Sequence, residues 1–296
     1  MPVNQAIWSN LSLVRPLSAA EAGEAMAHAD DPVLLAGGTD LMVAVNGRRR
    51  NPGTFVSLRH AADLTGLSAD VDTVRIGAMT SYAELAARPP ELATLPMLAD
   101  LAGRLGTPAQ RNAGTIGGGV GSARWNGDAI AALVALGARL DLVTATGSRE
   151  LAIEDWLDRE RRGGTDVLRS ILVRVPTGPQ VWLRVAERAT AAEASATCAL
   201  VVDVQRRTVR CVIGSVARSP IRALAAEALL TDALDWTRPV AGAALCRDFG
   251  RAVRREVVAR TTYRVGAEHR RHLAGVLAGR ALTRALGEAA TAQGIA

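Results

Sequence analysis

The chain has 296 residues, of which 49% are hydrophobic and only 3% aromatic, and its formal net charge is +6. This length fits about two domains, whose cores must be built from Ala, Val and Leu. All 35 basic residues are arginine, so lysine Schiff-base chemistry and the lysine-containing phosphate loop of nucleotide hydrolases are excluded.

Elements of the first half are predicted from periodicity and capping. A helix is expected at 19–29, because Ser18 can cap it and Glu21 follows three residues later. The remaining predictions here are strands at 33–36, 54–58, 74–77, 139–144 and 171–175, and helices at 81–87, 92–105 and 129–137.

A boundary is predicted at residues 176–179, which contain two prolines and a glycine. Beyond it we expect strands at 181–185, 198–205 and 208–215, followed by helices at 221–230, 240–259 and 270–290. Strands and helices grouped in separate blocks indicate an α+β fold.

Charge, cysteines and hydropathy exclude several classes of protein. The arginines are spread along the chain without interleaved aromatics, so no nucleic-acid partner is expected. The cysteines, Cys198, Cys211 and Cys246, stand singly and provide no spacing for zinc or an iron–sulfur cluster. No apolar stretch of about 20 residues is present and the N-terminus lacks a signal-peptide pattern, so we predict a cytoplasmic protein without a membrane span.

Two glycine-rich segments carry the main functional signal. Their residues are Ala36, Gly37, Gly38, Thr39, Asp40 and Leu41 in the first, and Gly114, Thr115, Ile116, Gly117, Gly118 and Gly119 in the second. Glycines let backbone N–H groups approach an anion, and a threonine hydroxyl in each segment adds a donor. Neither segment has the G-x-G-x-x-G pattern of a Rossmann fold. We therefore expect two loops that hold a diphosphate from two sides, although either alone could be a tight turn.

Several motifs in chain order resemble one known family. They are A-G-G-T-D-L at 36–41, R-N-x-G-T-I-G-G at 111–118, and a Gly-Asp pair at 127–128 before an apolar helix, with further matches at 76–80, 173–176 and 270–277. The chain resembles the FAD-binding medium subunit of molybdenum hydroxylases, the group of carbon monoxide dehydrogenase and xanthine dehydrogenase. The likeness extends over nearly the whole sequence.

The resemblance implies a fold and a role. Residues 1–177 would form a two-part FAD-binding domain of the vanillyl-alcohol-oxidase or PCMH type, with subdomains at about 1–58 and 59–177. Residues 178–296 would form a smaller α+β domain with a short antiparallel sheet and helices. The FAD would receive electrons from an iron–sulfur small subunit, reduced by a molybdopterin large subunit, and pass them to an external acceptor. The chain itself would hold no metal and no catalytic residue.

Cofactor contacts are expected from both glycine-rich segments and from two further residues. Asp128 is expected to contact a sugar hydroxyl of FAD, or else to cap the helix that follows it. Arg184 is expected to pair with the FAD diphosphate or the adenine end, or else to form a surface salt bridge. Asp40 could contact the cofactor or stabilise its own turn.

The sequence also departs from the family pattern. His269 stands where a tyrosine is common, Trp125 lies in a bulkier stretch, and an Asp–aromatic pair after Arg188 is missing. These departures support an alternative: a stand-alone FAD-dependent oxidase or dehydrogenase of a small organic substrate, with Trp125 or His269 lining its pocket. A scaffold that binds no FAD is a third possibility, against which the retained glycines argue.

Overall fold

The computed structural model describes residues 11–122, 128–144, 147–158, 164–187, 193–262 and 265–287. The helices are α1 (Ala19–His28), α2 (Leu41–Asn46), α3 (Tyr82–Ala86), α4 (Pro96–Arg104), α5 (Pro108–Ala113), α6 (Ile116–Ser122), α7 (Asp128–Ala135), α8 (Ile153–Asp158), α9 (Leu224–Ala233), α10 (Ala243–Glu256) and α11 (Ala267–Leu286). The strands are β1 (Ser12–Val14), β2 (Pro32–Leu35), β3 (Thr54–Ser57), β4 (Leu67–Ala69), β5 (Thr73–Gly77), β6 (Arg139–Thr144), β7 (Gly147–Ala152), β8 (Val167–Arg174), β9 (Gln180–Ala186), β10 (Ala194–Asp203), β11 (Thr208–Gly214) and β12 (Ile221–Arg222). The predicted α+β class is confirmed.

The chain forms two compact units that interleave along the sequence. The first unit contains Met1–Glu84, Pro108–Ser122 and Arg139–Leu172. The second unit contains Leu85–Thr107, Ala123–Ala138 and Val173–Ala296. The predicted domain limits at residue 177 stay a prediction.

The first unit contains two sheets. Strands β1, β3 and β2 form a parallel sheet in that order, and the second sheet has the order β4-β5-β8-β6-β7. Helix α1 begins as predicted, because the Ser18 hydroxyl accepts a hydrogen bond from the Glu21 backbone N–H at 3.2 Å. Ala19 and Ala22 of α1 are fully buried in the same apolar cluster as Val56.

The second unit is built on an antiparallel sheet of order β12-β11-β10-β9. Side chains that alternate along β10, such as Cys198 and Leu200, pack in one apolar cluster with α9, α10 and α11. On β11, the Arg210 guanidinium donates to the Val134 carbonyl of α7. Every residue of α7 is buried. The predicted short antiparallel sheet with helices is confirmed.

One predicted helix begins later than its pattern indicates. Residues 221–230 were expected to be helical, but Ile221–Arg222 pairs with β11 as strand β12. The backbone N–H of Ala223 donates to the Cys211 carbonyl at 2.9 Å, which extends this pairing. The helix therefore begins only at Leu224, because the backbone of residues 221–223 is hydrogen-bonded to β11.

The second glycine-rich segment is mostly helical, which corrects the prediction of a loop. Helix α6 begins at Ile116 although glycine is a poor helix former. The Gly117 N–H donates to the Ala78 carbonyl at 2.9 Å, and a Cβ on Gly117 would lie 2.6 Å from the Ala78 Cβ. Glycine is needed here because a helix backbone packs directly against another segment of backbone.

This packing gives a matched pair of substitutions within one helix. We expect Gly117→Ala to lower the free energy of unfolding by about 1–3 kcal/mol, because its Cβ would overlap Ala78. Gly121→Ala has nothing within 4 Å of the new Cβ and should be neutral, or stabilising by up to about 1 kcal/mol. Urea unfolding of both variants and the wild type measures the difference. Equal stabilities for the two variants would contradict the packing argument.

Candidate functional site

The structure brings the two glycine-rich segments together in the first unit. Gly37 lies directly against the start of the second segment, since a Cβ built on it would overlap the Ala113 carbonyl oxygen and lie 2.9 Å from the Gly114 Cα. The Asp40 carboxylate accepts a hydrogen bond from the Ser122 hydroxyl, at the end of α6, at 3.0 Å. The first segment is therefore attached to the start of the second segment through backbone contact, and to the end of α6 through a hydrogen bond.

The first segment provides a row of unused hydrogen-bond donors. The backbone N–H groups of Gly37, Gly38, Thr39 and Leu41 bond to no residue that the structure describes, and neither does the Thr39 hydroxyl. Gly38 has a φ of 71°, in the left-handed region that favours glycine. A turn with several unpaired N–H groups beside a threonine hydroxyl is suited to the oxygens of an anion.

The second segment is different, because most of its N–H groups bond within the protein. The bonds run from Gly114 to the Gln110 carbonyl (2.7 Å), Ile116 to the Thr80 carbonyl (3.0 Å), Gly117 to the Ala78 carbonyl (2.9 Å), Gly118 to the Thr115 hydroxyl (3.0 Å) and Gly119 to the Thr115 carbonyl (3.0 Å). Only the Thr115 N–H has no partner among the described residues. This segment is suited to supporting the first one.

Close packing also explains two further glycines of the second segment. A Cβ on Gly119 would lie 2.4 Å from the Tyr82 phenol oxygen, and one on Gly114 would lie 3.4 Å from the Tyr82 ring and from the Thr39 hydroxyl. No local pattern indicates Tyr82 as a neighbour of these glycines, because its proximity arises only from the tertiary fold. A serine that ends the glycine run was the one available signal for Ser122.

Asp128 and Arg184, both predicted to contact the cofactor, contact each other in the second unit. The Arg184 Nε donates to Asp128 Oδ2 at 3.0 Å, and the Ser215 hydroxyl donates to Oδ1 at 3.1 Å. The side chains of Asp128 and Arg184 are only 6% and 10% exposed, so this is a buried ion pair rather than a surface salt bridge. Burial raises the pKa of Asp128, while Arg184 and the Ser215 hydroxyl act in the opposite direction.

A second buried cation adjoins this pair through Ser215. The Ser215 carbonyl accepts a hydrogen bond from the Arg270 guanidinium, which also donates to the Ser195 carbonyl at 2.8 Å and to the Thr262 hydroxyl at 3.2 Å. Burial lowers the pKa of Arg270, and the nearby charge of Arg260 acts in the same direction. Sequence reasoning missed this network, because its members are far apart in the chain.

The other candidate residues from the sequence either are in neither of these two clusters or lie outside the described residues. Trp125 and Arg188 lie outside the described residues. His269 is exposed on α11. Within the described ranges, no group of three or more His, Cys, Asp and Glu side chains could hold a metal ion. In the same ranges, no helix is both long and apolar enough to cross a membrane.

Sequence comparisons agree with the motifs. A family model described as the FAD binding domain in molybdopterin dehydrogenase matches residues 9–177. The carbon monoxide dehydrogenase medium chain of Afipia carboxidovorans is 30% identical over 283 residues, which are 92% of this chain and 95% of that one. The nicotinate dehydrogenase FAD-subunit of Eubacterium barkeri is 30% identical over 129 residues, so the match spans 44% of its length.

Solved structures share the fold. Carbon monoxide dehydrogenase from Hydrogenophaga pseudoflava superposes with a TM-score of 0.83 at 26% identity, over 93% of this chain and 97% of that one. Quinoline 2-oxidoreductase from Pseudomonas putida 86 superposes with a TM-score of 0.84 at 21% identity. The family resemblance and the fold expected from the sequence are both confirmed.

The buried pair predicts a large effect of a nearly isosteric change. Asp128→Asn should lower the free energy of unfolding by about 3–5 kcal/mol, because it leaves the Arg184 charge buried without its carboxylate. Glu150→Gln breaks an exposed pair with Arg139, so it should cost at most about 1 kcal/mol. Replacing both partners, Asp128→Asn with Arg184→Leu, should recover part of the loss in urea unfolding. Similar losses for Asp128→Asn and Glu150→Gln would show that the pair is not buried.

Proposed function

The chain belongs to the family of FAD binding domains in molybdopterin dehydrogenases, and from that premise we propose that it passes electrons from an iron–sulfur partner subunit, through FAD, to an external acceptor. FAD is the family's cofactor, and the chain is a subunit of a FAD-dependent oxidoreductase. The observation that best supports a cofactor at the glycine-rich segments is the set of four backbone N–H groups, on Gly37, Gly38, Thr39 and Leu41, that bond to no residue in the described part of the chain.

These residues fit the diphosphate of FAD. Four backbone N–H groups and one hydroxyl are available in the first segment, and none is used within the part of the chain that the structure describes. The first segment would hold the diphosphate, with Ala36 and Asp40 keeping its ends in place. The second segment, from Gly114 to Gly119, would support the first segment and offer the Thr115 N–H to the diphosphate.

FAD and the protein have different roles in the proposed electron transfer. FAD, when bound, supplies the redox chemistry, since the isoalloxazine ring can take and give electrons. The contribution of this chain is to bind and orient the cofactor through preorganised backbone donors. Asp128 and Arg184 remain predicted cofactor contacts, and any such role would have to be compatible with their mutual ion pair.

The partners follow from the relatives. Their names describe a medium chain and a FAD-subunit of dehydrogenases. We place the iron–sulfur and molybdopterin sites on separate small and large subunits. The three cysteines are free and buried, which fits a reducing compartment, and we propose the cytoplasm.

The cofactor site is tested by substituting two glycines that both have a left-handed backbone conformation. Gly38→Ala and Gly66→Ala place a Cβ at φ values of 71° and 88°, so both should lose stability. Only Gly38→Ala distorts the segment that carries the unpaired N–H groups. We expect it to weaken FAD binding by about tenfold or more, because a backbone strain of about 1.4 kcal/mol corresponds to a tenfold change in affinity. FAD titration followed by flavin fluorescence gives both affinities. Unchanged affinity in Gly38→Ala would exclude the first segment from the diphosphate site.

The hydroxyl of Thr39 gives a gentler test at the same place. Thr39→Val removes one hydrogen-bond donor without changing the shape of the side chain, so FAD affinity should fall about 2–10-fold. Thr73→Val, on β5, makes the same change at a hydroxyl outside both glycine-rich segments and should leave the affinity unaltered. The urea unfolding of both apoproteins should match wild type. Equal FAD affinities for the two variants would remove Thr39 from the site.

The electron-transfer role is tested in the assembled enzyme. Purified from its natural source, the chain should co-elute with an iron–sulfur chain and a molybdopterin chain. Its flavin absorbance should bleach on addition of substrate only while all three are present. Rapid bleaching of the isolated chain by a small organic substrate would instead support the stand-alone enzyme.

A further inference from the structure

A groove in the second unit follows two long helices, and its lining includes none of the residues predicted to contact FAD. Its volume is about 640 Å³, and its lining lies on α10 and the two residues before it, from 241 to 254, and on α11 and the residue after it, from 272 to 287. The helices are antiparallel, since the Ala241 N–H donates to the Leu286 carbonyl while Gly250 meets Gly275 further along. At 1.5 Å per residue, the groove is about 20 Å long.

The floor of the groove is formed by small and apolar residues. A Cβ on Gly250 would lie 2.6 Å from the Gly275 carbonyl oxygen, and the reverse distance is the same, so the two helices touch backbone to backbone. Cys246, Val276 and Gly279 continue this floor. An apolar floor of this length is suited to one face of a helix.

The charged side chains on the sides of the groove are all arginines. Its lining includes Arg247, Arg251, Arg254 and Arg280, together with His272, and contains no Asp or Glu. Arg251 and Arg254 pair with Asp248 and Glu268, which lie outside the lining. Arg247 and Arg280 form no ion pair with any residue in the described part of the chain.

We propose that this groove binds an acidic amphipathic helix of a partner protein. The apolar face of that helix would cover the floor, and its carboxylates would pair with Arg247 and Arg280 on the sides. A compact anion would contact one or two arginines but would leave most of the 20 Å floor uncovered, whereas a helix of about 14 residues matches that length. The proposal does not depend on FAD, because every residue that carries it lies on α10 or α11.

The test uses the whole purified chain and a defined probe. The probe is a synthetic amphipathic peptide of about 14 residues with leucines on one face and glutamates beside them, matched by a scrambled peptide of identical composition. Arg247→Glu with Arg280→Glu alters the groove. Arg255→Glu with Arg284→Glu is the control, because it makes the same charge change at exposed arginines of the same helices outside the lining.

Wild type and the control variant should bind the patterned peptide alike in fluorescence anisotropy, and the groove variant should bind about tenfold more weakly or worse. Val276→Gln should also weaken binding, because it makes the floor polar. Equal affinity for the scrambled peptide, or equal loss in the groove and control variants, would reduce the effect to net charge and overturn the proposal. So would self-association of the wild type that the groove variant abolishes, since the occupant would then be a second copy of this chain.

Discussion

Direct contact between backbones is the constraint on which the first unit depends. Gly37 meets the Ala113–Gly114 backbone, and Gly117 meets the backbone and the Cβ of Ala78. Such contacts are short and rigid, because there is no rotamer to adjust. The contact at Gly37 also holds the first glycine-rich segment in place without using the N–H groups of Gly37, Gly38, Thr39 and Leu41, which bond to no described residue. The glycines thus serve the proposed site in two ways: some leave room for protein backbone, and Gly38 permits the left-handed turn.

The second unit solves a different problem, which is how to keep charged groups inside an apolar sheet-and-helix core. A compact cluster is formed by Asp128, Arg184 and Ser215. The Arg270 guanidinium donates a hydrogen bond to the backbone carbonyl of the same serine. A buried pair of this kind contributes little net stability compared with apolar residues of similar size, yet it cannot lose one member without a large cost. The hydrogen bonds among Asp128, Arg184 and Ser215 join α7, β9 and the end of β11.

Much of the architecture could be predicted from local patterns, and most of the tertiary contacts could not. The Ser18 cap, the apolar helix after Asp128 and the alternating strands β10 and β11 follow from short-range rules. The short helices α2, α5 and α8 were missed, because six residues carry too little periodicity to stand out. The glycines of α6 predict an anion-binding loop, whereas tertiary packing here overrides the low helix propensity of glycine. The Asp128–Arg184 pair joins residues 56 positions apart, and no local pattern indicates such a contact.

Helix α7 has a consequence for the order of events during synthesis. All of its residues are buried, and the strands it covers, β10 and β11, come later in the chain. At about 5–20 residues per second, the ribosome completes this apolar helix several seconds before both strands have been made. During that interval the apolar side chains of α7 are exposed on an unfinished chain. The nascent protein should therefore be a client of ribosome-associated chaperones, and slowing translation between α7 and β10 should increase aggregation even though the finished sequence is unchanged.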